Sequence, residues 1–238
     1  MSQQKKYDQE RVDDQKRDYD QEHQDLDARQ YAYDFDYHLR DYMVRHFTNW
    51  FEPEYMTSGN ALELGCYKGE FSRRIQPFFN QLTVVEGSQL LIDYCQSNLA
   101  GAEQIRYLYS TFEAVDLEQK YDAIFLIHTL EHLDHPQLVL KKIKHWLTPK
   151  GKLFLAVPNA NAASRQIAVK MGLIPYNSAV TEGEIEHGHR KTYALDSLTQ
   201  EVKQAGFNIL HQGGIMFKPL ANFQMDKALV AILLTFLF

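Results

Sequence analysis

The order of apolar and polar positions divides the chain into three stretches. Residues 1–30 carry almost no apolar groups: Val12 and Leu26 are the only large aliphatic side chains after Met1. Such a segment buries too little surface to offset the entropy of ordering it, so it is expected to be disordered or loosely helical. At Tyr31 the pattern changes. Tyr31, Tyr33, Phe35, Tyr37, Leu39, Tyr42, Met43, Phe47, Trp50 and Phe51 form an aromatic-rich block that ends at Pro53. Residues 31–58 are therefore expected to form one or two helices packed on the body of a domain spanning 31–238. Core packing is the plainer reading of this block, and a helical lid over a ligand is the sharper one.

From Asn60 onward short apolar runs alternate with segments of helical period. Strands are expected at 61–64, 82–86, 105–109, 121–127, 152–157 and 207–210. Between them, 70–79 has Phe71, Ile75, Phe78 and Phe79 at helical spacing, with Pro77 shortening or bending the helix. Ser88 caps a helix that presents Leu91, Ile92, Cys95 and Leu99 on one face. Pro136 opens another, and Thr148-Pro149-Lys150-Gly151 stops it. A polar stretch, 159–192, precedes a last helix closed by Gly206. The run 121–127 is apolar almost throughout, as a strand covered on both faces must be. This alternation predicts an α/β fold with helices on both faces of a parallel sheet.

Composition narrows the class. The 238 residues are 45% hydrophobic and 24% charged, as in a soluble globular protein. A net charge of -6 argues against a phosphate-binding surface, so no nucleic-acid partner is expected. Two cysteines cannot build a disulfide framework, which points to a reducing cytoplasm. The polar start, Met1-Ser2-Gln3-Gln4-Lys5-Lys6, does not resemble a secretory leader. The apolar run from Ala228 to Phe238 is short of the ~20 residues of a spanning helix. No membrane insertion is expected, and 229–236 is expected to be a further strand of the sheet.

In open parallel sheets, ligands bind outside the carboxyl ends of the strands. The first such end reads Glu63-Leu64-Gly65-Cys66-Tyr67-Lys68-Gly69-Glu70. Gly65 and Gly69 permit a tight turn and close backbone approach. The second strand ends in Glu86, where a carboxylate can accept from both hydroxyls of a ribose. An ordinary turn with a nearby acid is the alternative, and the two features together favour a nucleoside site.

These residues belong to a longer series. Residues 61–69, Val84-Val85-Glu86-Gly87-Ser88, Ser110-Thr111-Phe112-Glu113, 121–133 and 147–155 stand in the order and spacing of class I S-adenosylmethionine-dependent methyltransferases. From Asn60 to about Phe223 the chain resembles that family, nearest to the branch of ubiquinone-biosynthesis O-methyltransferases and sugar and natural-product methyltransferases. The resemblance implies a Rossmann-like, doubly wound, mostly parallel seven-stranded sheet. It implies S-adenosyl-L-methionine as cofactor and S-adenosyl-L-homocysteine as product. It assigns cofactor contacts to Glu63, Gly65, Cys66, Tyr67, Gly69, Glu86, Gly87, Ser88, Thr111, Phe112, His128, Thr129 and His132. Two positions depart from the family pattern: Tyr67 replaces the usual middle glycine, and Thr111 stands where many relatives carry an acid.

The histidines admit competing readings. His128-Thr129-Leu130-Glu131-His132 also spells the inverted zinc-hydrolase pattern H-x-x-E-H. That chemistry needs both histidines on one helical face, whereas His128 directly follows a predicted buried strand, so no metal is assigned. Glu184-Ile185-Glu186-His187-Gly188-His189-Arg190-Lys191 lies in the 159–192 insertion, where the family builds its substrate site. His187 and His189 are the candidate bases, because an imidazole can take a hydroxyl proton at neutral pH. Arg190 and Lys191 could hold an anionic acceptor. The expected activity is methyl transfer to a hydroxyl of a small metabolite, sugar or natural-product intermediate, by a monomer or homodimer. The alternative is a non-catalytic cofactor-binding subunit of the same fold.

Overall fold

In the computed structural model, residues 18–28 and 34–217 are described. The chain opens with α1 (Tyr19–Ala28), α2 (Asp34–Thr48) and the single turn α3 (Tyr55–Ser58). There follow β1 (Asn60–Leu64), α4 (Glu70–Ile75), β2 (Gln81–Glu86), α5 (Gln89–Asn98), β3 (Ile105–Tyr109), β4 (Tyr121–Ile127) and α6 (Pro136–Trp146). The described chain is completed by β5 (Leu147–Ala156), α7 (Ala163–Lys170), α8 (Glu182–Glu186) and α9 (Leu195–Gln204).

The five strands form one parallel sheet in the order β3-β2-β1-β4-β5. The order reverses between β1 and β4, which opens a crevice at their carboxyl ends. Strand pleating sorts the side chains into two cores. Ala61, Val84, Ala123, Phe125 and Phe154 face α2, α4 and α5 in one cluster. Leu62, Leu64, Val85, Ile124 and Leu126 face α6 and α9 in the other. Both faces are covered, as an all-parallel sheet requires.

The aromatic block packs onto the first face. The Phe47 and Phe51 rings lie 5.3 and 5.4 Å from the Phe154 ring, and Phe125 stacks on Phe154 at 5.0 Å. Pro77 acts as its chemistry dictates: α4 stops at Ile75 and continues as a 3₁₀ turn through Gln76–Phe78. Ser88 caps α5, its Oγ accepting from Leu91 N at 3.2 Å.

The structure differs from the expected elements in several places. The sheet has five strands among the described residues, not seven. Residues 207–210 follow α9 without forming a strand. The run 229–236, expected as a strand of the same sheet, lies outside the described residues. Also, β5 starts at Leu147 rather than 152, because Tyr121 pairs with Leu147 across an irregularity that absorbs the intervening turn residues. No helix among the described residues is long and apolar enough to cross a membrane.

Candidate functional site

The crevice is built from the ends of β1, β2 and β4. Gly65 leaves β1 with a φ of 80°, its N–H donating to Val85 O at 2.9 Å. A Cβ at Gly65 would stand 3.0 Å from Thr129 Oγ1 and 3.5 Å from Phe112 Cζ. Glycine thus keeps a narrow space open between the β4 and β3 loops. Thr129 is fixed there by donating to Leu64 O and Ile127 O, each at 3.1 Å. Gly69 has a different task. A Cβ there would strike Leu99 Cδ1 at 2.1 Å, so Gly69 lets α4 begin close against α5.

Between them, Tyr67 adopts a φ of 48°, a left-handed conformation costly for any residue with a Cβ. This is the physical reason that glycine suits the position. His128, at the end of β4, has the same kind of backbone with a φ of 51°. Strain is thereby concentrated at two strand ends that border one crevice.

Glu86 closes the crevice floor. Its Oε2 accepts from Cys66 N and its Oε1 from Ser88 N, both at 3.0 Å. Burial raises its pKa above the ordinary carboxylate value, and the surrounding amides, led by that of Ser88, work against the rise. Glu63, in β1, is 1% exposed and its Oε2 has no hydrogen-bond partner. Burial, with the Glu86 charge added to it, pushes the Glu63 carboxyl up to about 8, while Ser72 and Arg40 act in the opposite sense. On the β3 side, Thr111 Oγ1 accepts from Ala114 N at 3.1 Å, so its hydroxyl already shapes the loop.

The polar N-terminal stretch reaches this crevice, which composition alone did not signal. Asp20 of α1 accepts from Ser88 Oγ at 2.5 Å and from Leu90 N at 3.2 Å. The Tyr19 ring lies against Gly87, and the His23 ring meets Tyr67 edge-on at 5.8 Å. Asp20 thus supplements the Ser88 cap of α5.

The sequence of a family described as a methyltransferase domain matches residues 35–212. The chain belongs to this family. A ubiquinone biosynthesis O-methyltransferase of Coxiella burnetii (strain RSA 493 / Nine Mile phase I) is 27% identical over 169 residues, covering 68% of this chain and 69% of the relative. A solved S-adenosylmethionine-dependent methyltransferase of Clostridium acetobutylicum superposes with a TM-score of 0.54 at 13% identity, covering 77% of this chain and 86% of that one. A glycopeptide N-methyltransferase solved with S-adenosylmethionine gives 0.53 at 15% identity, with coverage of 71% and 83%. These likenesses carry the Rossmann-like fold.

The residues fit the cofactor of an S-adenosylmethionine-dependent methyltransferase. The space that a Cβ at Gly65 would fill and the buried Glu86 carboxylate lie at the neighbouring ends of β1 and β2. Gly65, Glu86 and the Thr111–Phe112 loop are the groups that would hold it.

A histidine cluster lies beyond the end of β4. After His128, Leu130–His132 forms one 3₁₀ turn, not a continuous helix. The H-x-x-E-H residues therefore do not share a helical face, and the zinc-hydrolase alternative is excluded by this geometry together with the family match. The His132 and His189 rings lie 4.6 Å apart at 80°. His187 ends α8 and stands outside this ring pair; its N–H donates to Gly183 O and Glu184 O at 3.1 Å. Burial holds the His189 imidazole below its ordinary pKa, opposed by Glu131 and Glu184. Arg190 and Lys191, candidates for holding an anionic acceptor, pair with Asp134 at 2.8 Å and with Glu201 respectively. Glu131, not among the residues expected to touch cofactor or acceptor, is 1% exposed at the centre of this cluster.

Proposed function

We propose that this methyltransferase methylates a hydroxyl oxygen of a small-molecule metabolite that enters beside His132 and His189. The observation that carries the reading is the half-buried His189, whose imidazole is kept neutral by burial and faces His132 next to the end of β4. A neutral imidazole can take the acceptor's hydroxyl proton, and His187 is the second candidate for that role. The O-methyltransferase name of the Coxiella relative supports oxygen as the acceptor atom.

S-Adenosylmethionine supplies a methyl group already activated on a sulfonium, so the protein's task is alignment and exclusion of water. Glu86 and the Gly65 turn set the cofactor end of that alignment. The loop carrying His187 and His189 sets the acceptor end, and its connection to β4 fixes the distance between the two. The buried thiols Cys66 and Cys95 suit the reducing cytoplasm proposed as its compartment.

The test is incubation with isotopically methyl-labelled S-adenosylmethionine and an extract of hydroxylated metabolites, followed by mass-spectrometric mapping of the label. Label on an oxygen of a small molecule is expected, with the yield cut by His189→Ala. Label on nitrogen or on protein, or no transfer by a chain that still binds S-adenosylhomocysteine, would overturn the proposal.

A further inference from the structure

Glu131 is a carboxylate in an unusual state. It is 1% exposed, and neither of its oxygens has a hydrogen-bond partner. His128 Nδ1 stands 3.5 Å from Oε1, too far to serve as a good donor. A buried carboxylate without good donors is disfavoured, and beyond the nearby His128 and His132 imidazoles it calls for a further partner such as a bound ion, ligand or water.

Two imidazoles stand beside it. One oxygen of Glu131 and one nitrogen each of His132 and His189 all lie within 4.8 Å of one another. The backbone holds these donors together. His132 N donates to Thr129 O at 3.0 Å, closing the 3₁₀ turn. Glu131 O accepts from Arg190 N at 2.7 Å and from Lys191 N at 3.3 Å, which pins the residue after His189 to that turn. The two ligand-bearing segments, far apart along the chain, are thus joined by main-chain bonds.

We propose that Glu131, His132 and His189 form a divalent-cation site whose open positions take oxygen atoms of the methyl acceptor. One carboxylate and two imidazoles favour a borderline first-row ion such as Mn²⁺, Fe²⁺ or Zn²⁺ over Ca²⁺ or Mg²⁺. Three protein ligands leave room for exogenous oxygen. Binding requires the imidazoles to rotate so that the donors come in to the ~2.0–2.2 Å of such an ion. A cation here lowers the pKa of a bound hydroxyl, whose proton then leaves to solvent or to His187. With an ion bound, His189 serves as a ligand and His187, the second candidate, is left as the base; without one, His189 keeps the role proposed above. The inference rests on reading the cluster as the acceptor end of the site.

The test uses the full chain, stripped with a chelator and titrated with Mn²⁺ while the free-ion electron paramagnetic resonance signal is followed. One saturable site per chain is expected, weakened at least about tenfold by Glu131→Gln and by His189→Ala. Co²⁺ should give a visible ligand-field band that His189→Ala removes. If Glu131→Gln fails to fold, His189→Ala carries the comparison. No saturable binding below about 1 mM, or binding unchanged in the folded variants, would overturn the proposal. S-Adenosylhomocysteine binding, measured separately without metal, distinguishes this failure from failure of the transferase reading.

Discussion

Replacing Glu63 by glutamine should reshape the pH dependence of stability. The carboxyl is buried in β1, between the α2 and α4 side of the core and Glu86, and its folded-state pKa is pushed up to about 8 from 4.5. The neutral form is therefore the one that the fold prefers. A raised pKa contributes stability that is complete below 4.5 and is lost as the pH rises through 8. At ~1.4 kcal/mol per pH unit, the whole interval corresponds to roughly 5 kcal/mol, of which about 4 falls between pH 5 and 8. Glutamine keeps the shape and stays neutral at every pH. Urea unfolding of both proteins without cofactor, at pH 5, 6, 7 and 8, should show the natural chain losing ground to Glu63→Gln at each step. Groups common to both proteins cancel in the difference. Parallel curves would refute the reasoning, because Glu63 would then ionise alike in the folded and unfolded chains.

Two further outcomes follow from the crevice. Glu86→Ala should weaken S-adenosylhomocysteine binding by about ten- to a hundredfold, since a charged acceptor contributes ~1.5–3 kcal/mol; unchanged calorimetric affinity in a folded variant would contradict its role. Tyr67→Val should be less stable than Tyr67→Gly by roughly 1–2 kcal/mol, because a β-branched residue is worst suited to the left-handed region; equal unfolding midpoints would remove strain from the account of this turn.

The sheet was legible because doubly buried strands write themselves as apolar runs. Residues 121–127 are the clearest case: every position from Ala123 to Ile127 is buried. The crevice was legible for the same reason, since strand order puts Gly65, Glu86 and Thr129 at neighbouring ends. What pattern could not show was contact between distant polar groups. Asp20 reaches Ser88 through one carboxylate, and nothing in the polar composition of 1–30 distinguishes it from its acidic neighbours. Glu131 reads as a loop acid, and only the fold reveals that its side chain is buried. Arg190 and Lys191 look free in a string of letters, but Asp134 and Glu201 come from other segments. The early start of β5 escaped because Thr148-Pro149-Lys150-Gly151 is a turn signature that the pairing with β4 overrides.

The docking of α1 has a kinetic consequence. None of its described side chains joins either core cluster. Its described contacts with the crevice run through Tyr19, Asp20 and His23. Undocking this helix leaves the sheet and both cores intact, so it belongs to the low end of the ladder of local openings, well below global unfolding. The crevice can then exchange its contents on the timescale of a latch rather than on that of the fold. Residence time on the protein and thermal stability become separately adjustable: changes at Asp20 tune the first, and changes at Phe125 or Phe154 tune the second.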